Sequence, residues 1–272
     1  MVENRGYVLG HADAEVERLQ LQAQILEPFT RRLIRDSGIR PGMRVLDLGC
    51  GAGDVSMLLA DAVGPAGTVI AIDREERAID VARGRAAQAG YHQIKFVVGA
   101  DEDLAGHAPF DAAIGRYVLI HQPDPALLVR RAAAAVRSGG IVAFQEVAIH
   151  CGTQIMPAVD LWRDTLGSVY DFARAAYQAP DAAGRLLGYF MAAGLPAPAL
   201  FWEAPAGGAQ SPYVQYSVAT YRVVLPHIER LGFLRPGVGD PDTLYERLVA
   251  AMTAASAQFI GGAEASAWAI RP

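Results

Sequence analysis

Three features of the 272-residue chain predict an α/β fold with a mostly parallel sheet and helices on both faces. Short β-branched runs alternate with amphipathic stretches between residues 44 and 147, the pattern of βαβ units. A glycine-rich turn, VLDLGCGAGD over residues 45–54, joins the first run to the first amphipathic stretch. The last third changes character: long helical patterns there carry many of the aromatic residues and predict two helical insertions on the α/β core.

Taken in order, apolar residues recur at helical spacing over 13–36, with Pro28 as a kink. SGIRPG ends that helix. The strand-like runs are RVLDLG, TVIAID, IKFVVG, FDAAIG and GIVAFQEV, and the helices between them fall at 54–63, 75–89 and 126–137. Residues 151–178 read as helix without a strand, and 211–233 read as a second helical insertion. Between these lie a helix near 182–193 and the strand-like PALFWEA. A helix at 241–256 and the strand-like ASAWAI close the chain. The expected organisation is an N-terminal helical segment over 1–40 covering the cofactor site, a binding core over 41–150 and a lid insertion over 151–180. A core helix and strand over 181–206, a second insertion over 207–240 and a core helix and strand over 241–272 follow.

Hydrophobic residues at 52% and charged residues at 19% fit a folded globular chain and exclude disorder. A formal net charge of −5 lacks the basic footprint of a nucleic-acid binder. Cys50 and Cys151, the two cysteines, offer neither a disulfide framework nor a thiolate zinc site, and no metal is expected. No secretory leader or membrane-spanning run is legible, so a cytoplasmic location and no membrane partner are expected. A homodimer is open.

The glycine turn asks which nucleotide it holds. A triphosphate loop needs a lysine, and none is near. The dinucleotide fingerprint G-x-G-x-x-G takes Gly49 and Gly51 but meets Asp54 in its third place, with Gly53 one residue early. An acidic side chain at a helix N-terminus opposes a pyrophosphate. Asp47 suits a ligand carrying an ammonium group, and S-adenosylmethionine carries an ammonium and a sulfonium without phosphate.

On these residues, with AIDREE, VVGADEDL and FDAAIGRYVLIHQPDPALLVRRAAAAVRSGGIVAFQE, the chain resembles class I S-adenosylmethionine-dependent methyltransferases of the small-molecule kind over about 44–146. The resemblance implies a Rossmann-like seven-stranded sheet whose antiparallel strand is ASAWAI. It implies that Asp47, Gly49, Cys50 and Gly51 line the methionine moiety, with Gly53 allowing close backbone approach. Asp73 would take the ribose hydroxyls, with Arg74 beside the adenine. Ala100, Asp101 and Glu102 would lie at the adenine edge, and Arg116 and Tyr117 under methionine and ribose. Tyr7 and Gln22 look like residues closing over the methionine end. Cys50 also reads as a small buried residue, and Glu102 as a solvated helix start.

Methyl transfer requires mainly alignment and water exclusion, with a base only where the acceptor must lose a proton. His121, Glu146 and His150 follow the fourth and fifth strands, where ligands gather in open α/β sheets. His121 could equally cap the next helix. The Asn/Asp-Pro-Pro-aromatic motif of nucleobase methylation is replaced by GRYV. Trp162, Tyr170, Tyr177, Tyr213 and Tyr216, in the insertions, are either ordinary core or an aromatic-rich lid. The expected activity is transfer of a methyl group to oxygen, nitrogen or carbon of a small, largely apolar metabolite such as an aromatic polyketide or terpenoid. A cofactor-binding protein that catalyses a non-methylating reaction is the alternative, and an NAD-dependent oxidoreductase a more remote one.

Overall fold

The computed structural model describes residues 13–100 and 106–272, with side chains from residue 18 onward. Of the described residues, 27–100, 106–147, 181–203 and 264–272 make one compact unit, the sheet unit. Residues 13–26, 148–180 and 204–263 make the second, the helical unit.

The sheet unit is a seven-stranded sheet in the order β3-β2-β1-β4-β5-β10-β7. Its strands are β1 (Arg44–Leu48), β2 (Thr68–Asp73), β3 (Ile94–Val98), β4 (Phe110–Arg116), β5 (Val136–Val147), β7 (Ala199–Glu203) and β10 (Glu264–Ile270). β1 pairs in parallel with both β2 and β4, while β10 runs antiparallel to β5 and β7. The antiparallel strand is therefore the C-terminal one, as the resemblance implies. Central strands of a parallel sheet are covered on both faces and favour unbroken apolar runs. Val45, Leu46, Val69, Ala71, Ala112, Ala113 and Ile114 accordingly have negligible exposure or none.

Helices α2 (Asp54–Val63), α3 (Glu76–Gln88), α4 (Pro125–Ala135) and α6 (Leu186–Ala192) belong to this unit. Helix α1 (Asp13–Ser37) contributes Leu33 and Ile34 to its core. The chain leaves β1 toward β2 on one side, and its later strand β4 lies on the other. Ligands of open α/β sheets bind beyond the strand ends at such a reversal.

The helical unit contains α5 (Asp160–Ala176), α7 (Pro212–Leu231) and α8 (Leu244–Ala254). It also holds a small sheet of β6 (Gln154–Met156), β9 (Gln258–Ile260) and β8 (Ala206–Gly207), in that order. Two expectations differ here. Residues 151–178 include a strand, and helix 241–256 packs with the insertions: Leu244, Leu248 and Met252 share a core with Trp162, Val214 and Tyr221. Strands of two or three residues show no usable period, and an amphipathic helix does not encode which partner its apolar face meets.

Candidate active site

The glycine turn lies at the carboxyl end of β1. Gly49, Gly51 and Gly53 have φ of 63°, 50° and 86°, in the left-handed region that glycine enters freely. At Gly49 a Cβ would overlap Val118 Cγ1, so the loop and the segment after β4 close on each other only because that atom is missing. Gly53 caps α2, and a Cβ there would lie 3.1 Å from Ala82 Cβ of α3, whereas a Cβ at Gly51 would meet open space. The outer side of the loop is thus bare backbone.

Two carboxylates brace the turn, Asp73 through its backbone and Asp47 through a side chain of α2. Asp73, ending β2, accepts the Gly51 N–H at 2.8 Å through Oδ2 and the Glu75 N–H at 3.0 Å through Oδ1. Asp47 is buried and accepts from Ser56 Oγ at 2.5 Å, tying β1 to α2. Burial pushes its carboxyl up to about 7, opposed by the Ser56 hydrogen bond and the Arg116 charge. Cys50 is buried, and burial followed by the Asp47 and Asp73 charges drives its thiol well above the usual range, so it is no nucleophile.

Asp54 does not stand as a free charge. Arg85 of α3 donates to its Oδ1 at 2.7 Å and to the Ala52 carbonyl at 2.6 Å. Glycine spacing and Asp47 therefore weigh against a pyrophosphate more than Asp54 does, whose charge is balanced from 31 residues away.

At the end of β4, Arg116 donates to Thr30 Oγ1 at 3.1 Å, and Thr30 donates to Gln145 Oε1 at 2.8 Å. Tyr117 has φ of 59°, uncommon for a residue with a side chain. Its hydroxyl donates to Glu264 Oε1 at 2.5 Å, and Gln145 Nε2 donates to the other oxygen at 3.4 Å. Glu264 is buried, and burial raises it to about 7 against those two hydrogen bonds and Arg116.

Glu146, on β5, is fully buried. Its oxygens accept the N–H groups of Val118, Leu119 and Ile120 at 3.0, 2.7 and 3.4 Å. Burial pushes it up to about 8 against those three donors. His121 follows in the same turn. Burial and then the Arg74 charge lower it to about 4, with Asp73 opposing, so the ring is neutral at physiological pH and feels the charges at the end of β2. The cap of α4 is Asp124, whose Oδ1 accepts the Leu127 N–H at 3.1 Å ahead of Pro125, so His121 is not the cap. Arg74 is exposed and Ala100 is half-buried beyond β3. Tyr7, Asp101 and Glu102 lie outside the described residues.

The remaining candidates belong to the helical unit. His150 is exposed on a short turn, and Gln22 is buried in α1, accepting from Arg18 Nη1 at 2.6 Å. Trp162 is buried, stacks on Phe259 at 5.0 Å between ring centres, and donates to Thr153 Oγ1. Tyr213 stacks on Phe259 at 5.1 Å, and its hydroxyl accepts the Gly262 N–H at 2.7 Å; Tyr216 leans on Tyr213. Trp162 and Tyr170, with Ile155, Val159 and Leu166, line a cavity of about 500 Å³ within this unit. Tyr177 and Tyr216 are half-buried and do not line that cavity.

Residues 39–173 match a family model described as a methyltransferase domain. The chain carries a methyltransferase domain. Aklanonic acid methyltransferase DauC of Streptomyces sp. (strain C5) is 34% identical over 136 residues, 49% of this chain and 61% of that one. A ubiquinone biosynthesis O-methyltransferase of Paracidovorax citrulli (strain AAC00-1) is 39% identical over 115 residues, 40% of this chain and 47% of that one. These matches span about half to three fifths of the relatives' length. A solved structure described as a methyltransferase, from Bacillus halodurans C-125, shares the fold with a TM-score of 0.62 at 18% identity. It covers 89% of this chain and 98% of the other. The domain implies S-adenosylmethionine as its cofactor. A bare, left-handed glycine backbone bordered by Asp47 and Asp73, without a lysine in the loop, fits a phosphate-free ligand.

Thr30, Ser56, Arg85, Gln145 and Glu264 are contributors that motif reading misses. For Gln145 and Glu264 the sequence signal is a polar residue in or at the start of an apolar run, GIVAFQEV and EASAWAI.

Proposed function

We propose that the protein is an S-adenosylmethionine-dependent methyltransferase acting on a small, largely apolar organic molecule of the quinone or aromatic polyketide kind. The observation that carries this reading is the glycine loop: three left-handed residues at the carboxyl end of β1, with Gly51 fixed by the Asp73 carboxylate. When bound, the cofactor supplies an electrophilic methyl group. The loop backbone at Gly49 and Gly51 receives the methionine moiety, and Asp73, with Arg74 beside it, receives the adenosine. Arg116 and Tyr117 border the same pocket from the end of β4.

Glu146 spends its oxygens on three backbone N–H groups, which makes it a positioning residue. His121, held neutral by burial and by the Arg74 charge, borders the adenosine side as a weakly basic ring. The cavity of the helical unit, about 500 Å³, is walled by aromatic and aliphatic side chains together with Arg163, Arg174 and Arg235, and is of the size that takes a small organic molecule. The relatives that act on aklanonic acid or in ubiquinone biosynthesis support that substrate class.

Isothermal titration with S-adenosylmethionine and with its demethylated product tests the cofactor, one site being expected for each. Absence of binding to both sinks the reading. Incubation with methyl-labelled cofactor and a panel of quinols and hydroxylated polyketides then tests transfer. Cofactor binding without label transfer to any acceptor would favour the non-methylating alternative.

A further inference from the structure

Tyr117 occupies a left-handed backbone conformation that side chains resist, so its surroundings must impose it. Four groups do so. The Tyr117 N–H reaches the Gln145 carbonyl at 2.9 Å, and its hydroxyl reaches Glu264 at 2.5 Å. The next three N–H groups are gathered by Glu146. Glu264 is itself steadied by Gln145, which is held by Thr30, which receives Arg116. The chain of bonds joins α1, β4, β5 and β10 in the sheet unit.

The purpose of such rigidity follows from Val118. Its side chain fills the space where Gly49 lacks a Cβ, so any displacement of residues 117–118 displaces the loop wall. An apolar pair could pack a strand end without bringing a carboxylate out of water; burying one is costly unless its geometry is used. We propose that Glu264 is a positioning residue for the cofactor pocket: from the start of β10 it holds the Tyr117 hydroxyl, and with it the left-handed turn that seats Val118 against Gly49. Through that contact it sets affinity for the methionine end of the ligand. This rests on the cofactor reading given above.

A double-mutant cycle tests it. Affinity for the demethylated cofactor is measured by calorimetry for Glu264→Leu, Tyr117→Phe and the pair, with Glu264→Gln as the conservative variant. Thermal melting without ligand is read alongside. Each of the first two should weaken binding tenfold or more, and the pair no more than the stronger single change. Glu264→Gln, which keeps an acceptor for the phenol, should bind within threefold of the parent. Additive losses, or lowered melting with unchanged affinity, overturn the proposal. If Glu264→Leu does not fold, unchanged binding by Tyr117→Phe alone overturns it. A parent protein that binds neither cofactor form removes the functional reading, while a binding parent with indifferent variants removes only the role of Glu264.

Discussion

The two units differ in how their buried rings are arranged. The core of the sheet unit is mainly aliphatic, built from residues such as Val45, Leu59, Ala71, Ile79, Ala112 and Ile114, and its buried rings are Phe110, Phe144 and Phe190. The core of the helical unit sets a larger group of rings, Trp162, Phe172, Tyr213, Tyr221 and Phe259, among aliphatic residues such as Val214, Val218 and Leu248. Parallel strands pack against helices through narrow β-branched and small residues, and a turn placed on their ends inherits backbone precision. A few helices and a three-stranded ribbon fill wider gaps with rings. Precision lies in backbone in the sheet unit, and bulk in side chains in the helical unit.

The largest effect is expected in the aromatic core. Trp162→Ala removes a buried ring stacked on Phe259 and should cost about 3–5 kcal/mol, read by chemical denaturation. A loss below about 1 kcal/mol would show that the ring behaves as pocket lining instead of core.

Gly49→Val probes the backbone side. It forces a branched residue to φ of 63° and into Val118, for a cost of about 2–4 kcal/mol with loss of cofactor binding. Parent-like affinity in titration would refute the tight closure of loop and β4 turn.

A third contrast is electrostatic. The raised carboxyls, Glu146 at about 8 and Asp47 and Glu264 at about 7, all belong to the sheet unit. In the helical unit, by contrast, Arg235 and Arg174 outweigh burial and hold Asp171 below its usual range. A carboxyl whose folded value is raised keeps a proton that the unfolded chain has lost, so stability falls as pH rises through that interval. His121, lowered to about 4, works in the opposite sense below about 6.5 and contributes no slope above it. Stability should therefore decline from pH 6.5 to 8, and Glu146→Gln should relieve up to about 1.4 kcal/mol per pH unit of that decline. Parallel stability–pH curves for parent and variant would contradict the assignment.

The smallest change concerns Tyr221, whose buried hydroxyl lacks a hydrogen-bond partner among the described residues. Tyr221→Phe should be neutral or stabilise by about 1 kcal/mol, seen as a raised melting temperature. Destabilisation would reveal a hidden partner for that oxygen.

The same contrast explains what was legible in the chain. The span of α2, residues 54–63, and that of β2, TVIAID, were readable because period and burial coincide there. The glycine turn announced itself because left-handed backbone needs glycine at fixed places. The strands β6, β8 and β9 were hidden by their length, and the allegiance of α8 by the silence of an amphipathic pattern about its partner. Asp54 misled because Arg85 lies on another helix. Glu264 escaped because its meaning depends on Tyr117, 147 residues earlier. Tyr213 and Trp162 were ambiguous since rings that line a ligand and rings that fill a core share one helical spacing.

Asp73 has a consequence for cofactor engineering. Both its oxygens are occupied by backbone before any ligand arrives, one by the loop and one by the start of α3. Its orientation is thus settled in advance, and a ribose diol would dock on a carboxylate that has no rotamer left to lose. The same economy removes a design handle. A replacement at residue 73 meant to admit an altered sugar would also release Gly51, so a variant enzyme for sugar-modified methyl donors is better sought by changing what surrounds Asp73 than Asp73 itself.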